Sequence, residues 1–77
     1  WLQVLTAAFD RFCTDVDRGI DTLLDPYGAE SIDEFFAVSA EAFFVAPEGF
    51  LDAHPHLYEL FKGYFAQDPA RAASDAP

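Results

Sequence analysis

Apolar residues fall at Trp1, Leu2, Val4, Leu5, Ala8, Phe9, Phe12, Cys13 and Val16, in steps of three and four that gather onto one face of a helix. The pattern predicts a first helix from Trp1 to about Asp17, with Gly19 as its stop. Between Ile20 and Glu30 the periodicity lapses, and Asp25, Pro26 and Gly28 favour turns, so Tyr27 is expected in a loop. Ser31 followed three residues later by Glu34 has the form of a capping box and opens a second helix. Ile32, Phe35, Phe36, Ala40, Phe43 and Phe44 share its broad apolar face. Pro47 interrupts that helix and can itself open a short third one through Leu51, because a first helical position needs no amide donor. His54, Pro55 and His56 read as the next break. Leu57, Leu60, Phe61, Tyr64 and Phe65 then restore the helical period to about Ala66. No run alternates as a strand would, and no internal repeat occurs. The expectation is an all-α chain of three to four helices over residues 1–69, with residues 70–77, rich in Ala, as a flexible tail.

Composition changes this picture in one respect. The chain has 77 residues, 52% of them hydrophobic, with nine Phe, three Tyr and one Trp. A chain this short buries roughly 60% of its unfolded surface, so that much aromatic surface leads us to expect a partner surface. Without any Met, and opening on Trp1, the sequence reads as an excerpt from a longer chain.

Charge and cysteine exclude some classes of function. Fourteen Asp and Glu against four Lys and Arg give a net charge of −10, the wrong sign for a phosphate backbone. Nucleic acid is not an expected partner. No apolar run reaches the roughly 18 residues of a membrane span, so no membrane partner is expected either. Cys13 alone makes no disulfide framework, which fits a reducing, cytoplasmic setting, and its helical position suits a small buried hydrophobe.

The segment from Asp25 to Phe44 holds the candidate chemistry. Glu34 and Glu41 are seven residues apart, about 700° around a helix, so both project from nearly the same face some 10 Å apart along the axis. One ion could not readily take both. A carboxylate held among packed phenylalanines at a helix start can serve as a single metal ligand, and another on the same stripe can orient neighbouring groups. Spacing alone equally fits a cap at Glu34 and a solvated acidic face.

The run Asp25-Pro-Tyr-Gly-Ala-Glu30, the run Glu34-Phe-Phe-Ala-Val-Ser-Ala-Glu-Ala-Phe-Phe44, then Pro47-Glu48, and the pattern of Pro55, Leu57, Tyr58, Tyr64 and Gln67-Asp68-Pro69 resemble the C-terminal region of the Mlc titration factor A family of bacterial zinc peptidases. The likeness covers roughly residues 20–69. A tyrosine seven residues before Glu-Phe-Phe-Ala also resembles the catalytic domain of anthrax lethal factor. The resemblance implies the C-terminal helical part of a zincin-like metallopeptidase domain, with Glu34 as the third zinc ligand beside two histidines of a His-Glu-x-x-His helix. It further implies Tyr27 as a phenol that stabilises an oxyanion; Glu41 is our candidate for a carboxylate behind the ligands. A peptide substrate, an aminopeptidase-like activity and a transcriptional repressor as partner are implied in the same way.

This chain departs from the pattern at its centre. It contains no His-Glu-x-x-His, and His54 and His56 stand two apart beside a proline rather than four apart on a helix. By itself the chain is therefore expected to be inactive, docking against the N-terminal part that holds the histidines. The competing expectation is a non-catalytic helical module that binds a protein partner through its aromatic face, with Glu34 only a cap.

Overall fold

The structure is a computed structural model and describes residues 1–71. Its order is α1 (Leu2–Asp17), a 3-10 turn (Pro26–Ala29), α2 (Ile32–Val45), α3 (Pro47–Ala53) and α4 (Pro55–Phe65). No strand occurs among the described residues, so the chain is all-α. No helix there is long and apolar enough to cross a membrane.

Each helix end has a local cause. After α1, Gly19 sits at φ +72°, its amide donates to the carbonyl of Val16, and that of Ile20 to the carbonyl of Asp15. These paired bonds close the left-handed stop that glycine permits without steric cost. Ser31, extended at φ −161°, accepts from the Glu34 amide at 3.2 Å and starts α2. The return contact of a full capping box is absent: the Glu34 side chain bonds to nothing among the described residues.

Four expectations change here. Tyr27 lies in the 3-10 turn rather than an open loop, because the Asp25 carboxylate accepts from the Tyr27 amide at 2.9 Å and Pro26 pre-sets the first position. α3 runs to Ala53 instead of Leu51, and Pro55 and His56 belong to the first turn of α4. Proline at that position ends nothing; it begins a helix. Ala70 and Arg71, expected in the tail, are helical. Asp68 accepts from the Arg71 amide and Pro69 follows it, so the Asp-Pro pair is a helix start. Residues 72–77, the rest of the expected tail, lie outside the described residues.

The core gathers where α2, α3 and α4 meet. Phe35, Phe43, Phe50 and Phe61 are fully enclosed, and Phe12 and Tyr58 nearly so. The Phe43 ring lies 5.0 Å from Tyr58, 5.9 Å from Phe61 and 5.8 Å from Phe65, mixing the tilted, edge-on and stacked arrangements that ring quadrupoles accommodate. Five of the nine phenylalanines are thus buried in a fold of this size. The aromatic excess left outside is Trp1, Tyr64, Tyr27 and Phe44. Two polar groups reach the interior. The Tyr58 hydroxyl donates to Asp68 and accepts from the Ala70 amide at 3.0 Å, tying the segment after α4 back onto the core. The Ser39 hydroxyl, fully buried on α2, has no partner among the described residues.

Candidate metal-ligand site

Glu34 stands in the first turn of α2, beside Asp33, where carboxylates interact favourably with the helix dipole. Its backbone is pinned by Ser31, and Phe35 next to it is wholly buried. The side chain is half-buried. Its carboxylate forms no hydrogen bond or ion pair among the described residues, so both oxygens remain available to a ligand.

The 3-10 turn is docked beside this helix start by Gly28. A β-carbon built there would lie 2.6 Å from Val38 Cγ2, 3.3 Å from Phe12 Cε2 and 3.5 Å from Phe35 Cα. Only glycine lets the turn approach α1 and α2 so closely. Tyr27 precedes Gly28 and Glu34 precedes Phe35, so the packing sets the phenol-bearing turn along the part of α2 that carries the carboxylate. Tyr27 is 51% exposed, with its hydroxyl free of partners among the described residues.

Glu41, two turns further along α2, is exposed and lines a shallow cleft of about 380 Å³ with Leu23, Asp25, Pro26 and Val38. The inner glycine of the turn packs against Phe35 and Val38 of α2, and the start of the turn, Asp25 and Pro26, borders the cleft that Glu41 lines.

The histidines are elsewhere. His54 caps α3 and α4 at their joint, its ring 5.6 Å from that of Phe50. Burial, then the Arg11 charge, hold its pKa below the usual imidazole range, against a smaller opposing effect of Asp15. His56 is exposed. Among the described residues no group of three His, Cys, Asp or Glu side chains could hold a metal ion. The donor set here is a single half-buried carboxylate, an oxygen type that zinc accepts but that alone makes no site.

Other perturbed groups lie in the frame rather than the site. Burial and the hydrogen bond to Asp68 push the Tyr58 phenol up, and the same bond holds the Asp68 carboxyl down. Burial, with Asp17 and Asp10, raises the Cys13 thiol, which points its weak donor at the Ala29 carbonyl; it behaves as packing. Reading the sequence missed Gly28 as the residue that seats the turn, since nothing local marks a glycine as a close approach rather than a bend. It also missed the cap at Asp68, which the Asp-Pro pair does signal.

The sequence model of the family described as glucose-regulated metallo-peptidase M90 matches residues 1–66. The chain belongs to this family. Mlc titration factor A of Pectobacterium atrosepticum is 39% identical over 71 residues, covering 90% of this chain and 27% of the relative. Mlc titration factor A of Escherichia fergusonii is 33% identical over 79 residues, covering 100% and 30%. An uncharacterised protein of Synechocystis is 29% identical over 69 residues, covering 90% and 25%. The chain thus spans between a quarter and a third of the length of these relatives. No solved structure matches it. Membership in this family bears out the resemblance to Mlc titration factor A; the pattern shared with lethal factor gains no support from it.

Proposed function

We propose that this chain is the ligand-bearing helical part of a zinc peptidase, with Glu34 as one zinc ligand and two histidines supplied by polypeptide outside it. The observation that carries the reading is the Glu34 carboxylate: half-buried, fixed at its backbone by Ser31, and left without a partner among the described residues. An acidic side chain whose only task was capping would be expected to close the box on the Ser31 amide. Zinc, when bound, supplies Lewis-acid polarisation of a carbonyl and activation of water.

The chain's own residues do the rest of their part by position. Glu34, on a rigid helix start, offers a fixed oxygen ligand. Tyr27 offers an O–H donor, suited to a developing oxyanion of a peptide carbonyl. Glu41, beyond the turn, suits a supporting role for groups behind the ligands. Alone, the chain lacks a His-Glu-x-x-His pair and is expected to hydrolyse nothing. Peptides as substrates, an aminopeptidase-like activity, a cytoplasmic setting and a transcriptional repressor as partner belong to this proposal, the last in keeping with relatives named Mlc titration factor A.

Zinc analysis of the full-length protein tests it. Glu34→Gln should lower bound zinc clearly and Glu41→Gln much less, because amide oxygen is a poorer zinc donor than carboxylate. Full and equal occupancy in both variants would remove Glu34 from the site. The second reading is a protein-docking module, and one observation favours it: Trp1, Phe36 and Tyr64 form a contiguous ring cluster, with Trp1 and Tyr64 more than half exposed. Absence of a His-Glu-x-x-His motif in the full-length sequence would decide for it.

A further inference from the structure

A groove of about 630 Å³ lies between α1 and the joint of α3 and α4, within the range of sites that take small ligands. Val4, Ala8 and Leu57 supply apolar lining, and both histidines of the chain border it. Arg11 and Asp15, one helical turn apart on α1, face the same groove. In a chain of net charge −10, this groove pairs one cation with one anion. The two do not neutralise each other: neither side chain forms an ion pair or hydrogen bond among the described residues. Arginine placed before the acid at this spacing is the order that the helix dipole favours least.

We propose that this groove binds a short zwitterionic peptide of about two residues, its carboxylate on Arg11, its ammonium on Asp15 and an apolar side chain over Val4 and Ala8. Four residues of helix set the backbones of Arg11 and Asp15 about 6 Å apart along the axis, comparable to the about 7 Å between the termini of an extended dipeptide. His54, held largely neutral by its surroundings, can donate from one ring nitrogen and accept at the other, which suits the peptide unit between the termini. No residue of α2 or the 3-10 turn lines the groove, so the outcome does not bear on Glu34.

The test is a titration of the ¹⁵N-labelled full-length protein with Leu-Ala, N-acetyl-Leu-Ala and Leu-Ala amide, following the backbone amides of Arg11, Asp15 and Leu57. Saturable shifts are expected with Leu-Ala, and about tenfold weaker binding of either blocked peptide. Arg11→Gln should erase the discrimination against the amide and keep that against the acetyl form; Asp15→Asn should do the reverse. Equal affinity for all three peptides, or no shift with Leu-Ala, overturns the proposal. If a substitution unfolds the protein, seen as lost amide dispersion, the three peptides on the unsubstituted protein still decide.

Discussion

Helix α2 carries two faces with opposite relations to the fold. Phe35, Ser39 and Phe43 point inward and are completely enclosed, whereas Glu34 is half-buried and Ala37, Glu41 and Val45 are exposed. The inner face is specified by volume, since each ring there touches several others. The outer face carries residues that this packing does not require. Stability and candidate chemistry are thus separable on one helix: the rings hold the rod in place, and the carboxylates stand on the face that this packing leaves free.

The sharpest way to break the inner face is Phe43→Ala. Removing the ring at the centre of the cluster should cost about 3–5 kcal/mol, a large share of the stability of a domain this small, measured by urea unfolding. Gly28→Ala attacks the link between the faces. The added methyl must displace Val38 or the turn, for a loss of about 1–3 kcal/mol, and in the full-length protein zinc content should fall with it if the seating of the turn matters to the site. Ser39→Ala runs the other way. It removes a buried hydroxyl that has no partner among the described residues, so stability should rise by about 1 kcal/mol; a loss instead would mean that the hydroxyl is satisfied in solution.

Acid should loosen the side of the fold away from α2. The folded pKa of His54 is lowered by burial and Arg11, so the unfolded chain binds the proton more readily. Its unfavourable contribution is absent above the ordinary imidazole value of about 6.5 and grows as pH falls below it. The melting temperature of wild type should therefore drop over that window, and the drop should be smaller in His54→Gln. Asp68, whose folded pKa is lowered by Tyr58, also loses its stabilisation on acidification, but only below the ordinary aspartate range of about 3.9. The smallest effect is expected on the outer face: Glu34→Gln and Glu41→Gln should each change stability by no more than about 0.5 kcal/mol. A large destabilisation by Glu34→Gln would show that its carboxylate supports the fold, and the separation of the two faces would fail.

Much of this architecture was legible because helices announce themselves locally. The three- and four-residue spacing of apolar positions located α1, α2 and α4, Ser31 marked the start of α2, and Pro47 opened α3. Where proline was read as a break, at Pro55, the error came from giving its missing donor more weight than its fitness for a first turn. Glu34 was identified from the residues around it, Tyr27 seven before and the Phe35-Phe36-Ala37 run after, rather than from its spacing, which fits a cap equally well.

By itself, then, the sequence determined the helical class, most helix boundaries, the acidic charge and the residues that resemble a ligand and its companion phenol, all of which depend on neighbours within a few positions. Long-range packing was needed to show that Gly28 presses the turn against Phe35 and Val38, that the Glu34 carboxylate is unpaired among the described residues, and that Arg11 and Asp15 share a groove with both histidines. The physical reason is range. Helix propensity and capping act over one turn of chain, but a close approach or an unsatisfied carboxylate depends on which distant segments arrive beside it.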